Sequence, residues 1–422
     1  MKQLHPLLAH LHEDNPAPAW LDPLDGWLSY GELAQRVTQV AATYPSERSL
    51  VYLPFFTRTS HLLHYLAALR LGHAVMLADP VLPSSQHDAS CQQFAVTCRV
   101  NEEGKLIRLR DTSPLLHPEL AVLLPTSGST GSAKWVRLSG RNLAANAASI
   151  ADYLALTAAE RAITSLPLFY SYGLSVLNSH LLVGASLVQS EGSVLDRGFW
   201  QQVEQHGVSS FAGVPFTYQM LARLLGRRFF VMYGQTEATA RMAWLAAHEV
   251  VTHPDAIGRA IPGGHFSLRE LEGGKPGEGE LVYRGDNVML GYASTISDLA
   301  QGAQLQELAT GDLARSDEAG RYYICGRLSR FLKLFGKRIS LAEVESQLHR
   351  WGWSGACGGR DDCLLVVVEP RGELTADGLQ RELAQWLQAP PRAVRVIQVA
   401  QLPRTANHKI DYAALTRLAE EA

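Results

Sequence analysis

Between residues 28 and 77, short apolar runs of strand character alternate with segments that repeat apolar residues at helical spacing. No other feature of the chain limits its fold as much. Leu28-Ser29-Tyr30-Gly31-Glu32-Leu33 opens an amphipathic helix with Ser29 as N-cap, and a strand follows at 49–53. Residues 59–71 form the next helix and residues 74–77 the next buried strand. Parallel strands joined through helices build a doubly wound sheet with helices on both faces. The expected class is therefore α/β, with a large N-terminal domain of doubly wound sheets.

An apolar run at 121–124 feeds into Pro125-Thr126-Ser127-Gly128-Ser129-Thr130-Gly131-Ser132-Ala133-Lys134. Glycines let the backbone turn N–H groups toward a phosphate, hydroxyls add donors, and the lysine brings charge. The lysine follows Gly131 by three residues, so this is not the G-x-x-x-x-G-K-[ST] loop of kinases and ATPases. Taken alone, the segment also suits a flexible Ser/Gly linker.

A helix rich in Ala and Asn is expected at 141–153, with Ser139 near its start. Residues 165–174 read as an apolar strand running into an aromatic turn. There Phe169, Tyr170, Tyr172 and Gly173 would form a wall for an organic ligand, ordinary core aromatics being the alternative. A short strand at 207–215 and a helix at 216–225 precede a buried strand at 229–233, which breaks into Gly234-Gln235-Thr236-Glu237. A carboxylate beside a hydroxyl at a strand end suits Mg2+ held against phosphate oxygens.

Gly-rich residues 258–291 suggest a small β subdomain. From residue 328 the order reads β-β-α-β-α-β, with strands at 331–334, 364–368 and 393–399 and helices at 341–349 and 378–387. This is a compact α+β unit after a hinge, which gives domains at 1–327 and 328–422. A chain of 422 residues with 46% apolar content suffices for two cores, and its net charge of −3 points away from nucleic acid. The five cysteines are irregularly spaced and imply neither a disulfide framework nor a zinc site, which fits a reduced cytoplasm. No signal peptide is expected at the N-terminus. The apolar stretch at 166–188 is too interrupted by polar residues for a membrane span.

Taken in order, these segments resemble the adenylate-forming superfamily: acyl-CoA synthetases, aryl acid ligases, luciferases and peptide-synthetase adenylation domains. The motifs are Thr126 to Lys134, Tyr233-Gly234-Gln235-Thr236-Glu237, Thr310-Gly311-Asp312, Gly326-Arg327, Lys333 to Glu345, and Leu402 to Ile410. The resemblance implies that Thr126, Ser127, Gly128, Ser129, Thr130, Gly131 and Lys134 embrace the phosphates of ATP, that Tyr233 and Gly234 lie by adenine, and that Gln235 also belongs to the cofactor site. Thr236 would touch phosphate, and Glu237 would hold Mg2+. Asp312 and Arg327 would bind ribose. Lys409, carried on a mobile lid, would bridge the substrate carboxylate and the α-phosphate. The implied reaction makes an acyl-adenylate and passes the acyl group to CoA or a phosphopantetheinyl carrier protein.

Departures from the family pattern are Ser329 where Asp or Lys is usual at the hinge, and His408 where Gly is usual before the lysine. A third is an interval of only seventeen residues between Pro215 and Tyr233. The short interval also suits a nucleotide-binding or scaffold protein without catalysis. Amino-acid-activating relatives place an Asp in the aromatic turn to meet the substrate ammonium. This turn has none, so the expected substrate is an acyl or aryl acid without an α-amino group. The basic stretch Arg330 to Arg338 would meet CoA phosphates or an acidic carrier, a solvated strand edge being the alternative.

Overall fold

The computed structural model describes residues 5–126, 134–190, 192, 194–213, 230–271, 276–328, 330–335, 337–370, 375–404, 410–412, 414, 415 and 417. In chain order its first elements are β1 (Pro18–Asp22), β2 (Gly26–Ser29), α1 (Tyr30–Ala41), β3 (Leu50–Pro54), α2 (Thr59–Leu71), β4 (Ala74–Ala78), α3 (Ser84–Gln93), β5 (Cys98–Val100) and β6 (Leu106–Arg108). Then come β7 (Leu120–Pro125), β8 (Trp135–Ser139), α4 (Gly140–Tyr153), β9 (Arg161–Ile163), α5 (Ser171–Leu182), β10 (Ser186–Val188) and α6 (Arg197–Gln205). Short strands follow: β11 (Val231–Tyr233), β12 (Ala243–Leu245), β13 (Ala256–Ala260), β14 (Gly264–Glu270), β15 (Glu278–Gly285) and β16 (Gly291–Ala293). The remainder is β17 (Leu308–Ser316), β18 (Tyr322–Arg327), β19 (Phe331–Leu334), β20 (Lys337–Ser340), α7 (Leu341–Arg350), β21 (Gly355–Arg360), β22 (Cys363–Val368), α8 (Ala376–Leu387) and β23 (Val394–Gln398). Two compact units result, one of Met1–Thr252, Gly258–Phe266 and Tyr283–Leu308, the other of His253–Ile257, Ser267–Val282 and Ala309–Ala422.

The first unit is built on a seven-stranded sheet of order β16-β8-β7-β4-β3-β5-β6 and a four-stranded sheet of order β2-β1-β10-β9. β3 and β4 are buried at every position and pair parallel, as strands covered on both faces must be. β4 pairs parallel with β7, which leads directly to the expected phosphate loop. The helices begin where their caps dictate. Ser29 and Glu32 form a capping box for α1, and Ser139 and Asn142 do the same for α4, each cap being worth about 1 kcal/mol. α2 ends at Gly72, whose φ of 75° suits the left-handed C-cap.

Two expectations differ from the fold here. The strand expected at 165 lies earlier, at Arg161–Ile163, and the aromatic turn is the first turn of α5. α5 carries Ser171, Ser175, Asn178, Ser179 and His180 among its apolar residues, but these are buried as well, so no exposed polar face marks its period. β11 is half-buried rather than buried. The helix expected at 216–225 lies outside the described residues.

In the second unit β17 and β18 pair antiparallel, as do β19 and β20. β21 pairs antiparallel with β22, and β22 parallel with β23, while Leu332, Val344, Leu348, Val366 and Leu383 share one core. The order after residue 330 is therefore β-β-α-β-β-α-β, with one strand more than expected. That strand, β21, reads Gly-Ala-Cys-Gly-Gly-Arg; three glycines leave no alternation of side chains to detect.

Candidate active site

In the first unit, the neck of the expected phosphate loop is a closed hairpin. The Thr126 backbone N–H and hydroxyl both donate to the Lys134 carbonyl, at 3.0 and 3.1 Å, where β7 and β8 pair antiparallel. Ser127, Gly128, Ser129, Thr130 and Gly131 lie outside the described residues. The Lys134 ammonium stands 5.7 Å from the ring centroid of Tyr292, which β16 carries opposite Val136 of β8. The Tyr292 hydroxyl donates to Oε1 of Glu237 at 2.8 Å. Burial, and then the neighbouring Glu237 charge, push the Tyr292 phenol well above its ordinary range, so it remains a protonated donor.

Glu237 sits in a 3-10 turn, residues 236–238, directly after β11. Gly234 is forced by close approach, since a Cβ there would meet the Ala240 carbonyl oxygen at 1.5 Å. The Tyr233 carbonyl accepts from Met242 N–H at 2.9 Å, and the Gln235 carbonyl accepts from the N–H groups of Ala238 and Ala240. Thr236 lies 3.3 Å, hydroxyl to hydroxyl, from Ser171 at the start of α5. Thr239 and Ala240 then adopt φ of 57° and 96°, a left-handed pair that non-glycine residues avoid at a cost of roughly 1–3 kcal/mol each.

Asn287 holds that strained turn by donating to the carbonyls of Ala238 and Arg241 at 2.8 and 3.0 Å, while the Thr239 hydroxyl donates to the Asn287 carbonyl at 2.7 Å. Met289 N–H donates to the Glu237 carbonyl at 2.8 Å. From α4, Asn142 donates to the carbonyls of Asp286 and Val288, and Asn146 to that of Arg241. Arg137 of β8, fully buried, donates through Nε to the Tyr292 carbonyl at 3.1 Å and through Nη2 to Gln304 at 3.0 Å. Asn142, Asn146, Asn287, Arg137 and Tyr292 were not among the expected site residues. The asparagine content of α4 is the one signal in the sequence for Asn142 and Asn146, and Asn287, Arg137 and Tyr292 have none.

At the expected substrate wall, Gly173 lets α5 approach the preceding segment, because a Cβ would meet the Pro167 carbonyl oxygen at 2.2 Å. Ser171 and Gly173 each line a small cavity beside α5, and among the described residues neither cavity has a carboxylate in its lining. Phe169 and Tyr172 pack onto the main core, and Tyr170 occupies the N-cap of α5. The Arg241 guanidinium lies 4.9 Å from the Tyr172 ring centroid and donates to the Tyr153 hydroxyl at 3.2 Å.

The expected ribose residues belong to the second unit. Asp312 and Arg327 face each other across β17 and β18, and Arg327 Nε donates to Asp312 Oδ1 at 2.7 Å. Arg330 is committed inward, bidentate to Glu345 at 2.9 and 2.7 Å, whereas Lys333 is exposed. Ser329, His408 and Lys409 lie outside the described residues.

A hairpin neck at Thr126 and Lys134 and a carboxylate, Glu237, on a strained turn thus stand in one unit, in the order expected from the motifs. The family model described as "AMP-binding enzyme" matches residues 87–229, and the chain belongs to this family. It is 30% identical over 350 residues to a sulfoacetate–CoA ligase of Cupriavidus necator, covering 71% of this chain and 67% of that protein. It is 28% identical over 433 residues to an L-proline–[L-prolyl-carrier protein] ligase of Pseudomonas fluorescens, covering 84% and 86%. Some relatives are longer, and the chain spans 34% of a Streptomyces venezuelae peptide synthetase. Its fold is that of ATP-bound MatB from Rhodopseudomonas palustris, with a TM-score of 0.82 at 20% identity over 99% of both chains. Among the described residues no helix is long and apolar enough to cross a membrane.

Proposed function

We propose that this protein uses ATP and Mg2+ to activate a carboxylic acid without an α-amino group as its acyl-adenylate, then passes the acyl group to the thiol of CoA or of a phosphopantetheinyl carrier protein. The observation that carries the reading is the contact of Tyr292 with both Lys134 and Glu237 within one unit, where Thr126 bonds the Lys134 carbonyl and Thr236 directly precedes Glu237. Attack of a carboxylate on the α-phosphorus brings two anions together, so the enzyme's task is positioning and charge neutralisation. Lys134 supplies positive charge at the end of the loop that would take the phosphates. Glu237 is a hard oxygen donor suited to Mg2+, which binds through one or two carboxylates with phosphate oxygens and water completing its shell. Among the described residues there is no cluster of three metal-ligating side chains, which agrees with a metal that arrives with the nucleotide. When bound, Mg2+ neutralises phosphate charge. Asp312 and Arg327 would hold the ribose, and Lys409, on a mobile lid at 328–422, would serve the adenylation step.

The absence of an α-amino group is argued from the lining around α5. An ammonium buried there without a carboxylate, near the Arg241 guanidinium, would cost several kcal/mol. Both kinds of acceptor occur among the relatives' names, CoA and a carrier protein. None of the five cysteines is in a disulfide, which suits a cytoplasmic protein.

The test is ATP–pyrophosphate exchange over a panel of fatty, aryl, small aliphatic and amino acids. The expected result is Mg2+-dependent exchange with one or more acids lacking an α-amino group, and a much weaker signal with every amino acid. A strong, selective signal with one L-amino acid contradicts the substrate reading. ATP binding without exchange for any acid favours the non-catalytic alternative that the short interval between Pro215 and Tyr233 suggested; residues 216–229 of that interval lie outside the described residues.

A further inference from the structure

One side chain touches both opposite charges of the proposed site. The Tyr292 hydroxyl donates to Glu237 Oε1 at 2.8 Å, and its ring takes the Lys134 ammonium at 5.7 Å from the centroid, within cation–π range. Lys134 makes no ion pair among the described residues. Both ends of the Tyr292–Glu237 bond are anchored in the same few residues. Asn287 and Met289 bind the turn that carries Glu237, while Leu290 N–H donates to the Arg137 carbonyl at 2.8 Å and Arg137 holds the carbonyl of Tyr292 itself. Gly291 sets the start of β16 with φ of 140°, where a Cβ would meet Gln304 Oε1 at 2.0 Å.

We propose that Tyr292 is a positioning residue of the nucleotide site: its hydroxyl fixes one oxygen of Glu237, which would leave the other to hold Mg2+, and its ring holds Lys134 apart from that carboxylate. The inference rests on the function proposed above. Without the phenol, Glu237 would turn more freely and could pair with Lys134, each charge then competing with the ligand meant for the other. A neutral donor suits this task because it orients the carboxylate without cancelling its charge.

The test uses Tyr292→Phe, which removes one oxygen and keeps the ring, and Tyr292→Leu, which removes both contacts. The readout is the rise in melting temperature produced by ATP, titrated with Mg2+, alongside the exchange rate. Tyr292→Phe should melt like wild type without ligand and need about fivefold more Mg2+ for half of the ATP-dependent rise, the loss of one ordinary hydrogen bond. At saturating Mg2+ its exchange rate should return to within about twofold of wild type, since it loses orientation and not chemistry. Tyr292→Leu should in addition need more ATP. In a Glu237→Gln background, Tyr292→Phe should change the Mg2+ requirement much less than it does alone. An unchanged Mg2+ requirement in Tyr292→Phe, or a loss of rate that saturating Mg2+ does not restore, overturns the proposal. If wild type itself shows no ATP-dependent rise, the ligase reading falls first and this inference with it.

Discussion

Arg327 and Asp312 are directly opposite each other on two antiparallel strands, joined by a 2.7 Å charge-assisted hydrogen bond in which Asp312 is buried and Arg327 is more than half exposed. The pair holds a buried carboxylate in a fixed direction against an exposed guanidinium, a geometry suited to gripping a diol. Asp312→Asn should keep the fold and raise the KM for ATP roughly ten- to a hundredfold, the worth of a hydrogen bond to a charged group. Arg327→Ala should both raise that KM and lower the melting temperature, because a buried carboxylate loses a cation. Wild-type KM values in both variants would remove the pair from the nucleotide site.

Gly234 and Gly311 sit in matching motif positions of the sequence but meet different constraints. A Cβ at Gly234 would overlap the Ala240 carbonyl, whereas Gly311, with φ of 71°, has nothing within 4 Å. Gly311→Ala should cost about 1–2 kcal/mol in a thermal or urea melt, the price of a left-handed conformation. Gly234→Ala should cost several times that or abolish soluble expression, since backbone must move. Equal melting temperatures for the two variants would contradict this account of the Glu237 turn.

Burial lowers the pKa of His180 in α5 to about 4, against about 6.5 in the unfolded chain, and His61 in α2 behaves alike. A folded-state value below the unfolded one means that the unfolded chain takes up the proton first. Stability is therefore intact above about pH 6.5 and is lost progressively as pH falls toward 4. At pH 5.5, unfolding of His180→Gln should take up roughly one proton fewer than wild type, seen as a shallower fall of stability with pH. Parallel slopes for the two proteins would show that His180 is not buried as a neutral ring.

Lys409→Ala should separate the two half-reactions. Loss of a preorganised charge at the reacting centre costs on the order of 10²–10³ in rate, so adenylate formation should nearly vanish. Transfer from synthetic acyl-adenylate to thiol should stay near the wild-type rate, because a lysine on a lid can be carried away before that step. Equal losses in both would mean that Lys409 supports the fold or both steps.

Much of this fold was legible because local and global preferences agree. The boundaries of α2 fall where the apolar spacing put them, and the Ser29 cap opens α1 as its sequence demands. The failures have physical causes. α5 buries its polar side chains along with its apolar ones, so no exposed polar face marks its period, and β21 is half glycine, so its alternation is silent. In the site, motif residues that would meet ligand could be named from their order along the chain. The residues that hold them could not. Asn287, Asn146 and Arg137 act by binding carbonyls, which every residue possesses, and Tyr292 meets Glu237 across 55 positions of sequence.

In the proposed reaction one chain joins an acid to a thiol at the expense of ATP cleaved between its α- and β-phosphates. The direct measurement is product analysis by mass spectrometry after incubating purified protein with ATP, Mg2+, its best acid from the exchange panel, and either CoA or a phosphopantetheinylated carrier protein. The account expects AMP and one acyl thioester in equal amounts with one of the two acceptors, and acyl-adenylate accumulating when the thiol is withheld. Release of ADP, or adenylate that neither thiol consumes, would contradict it.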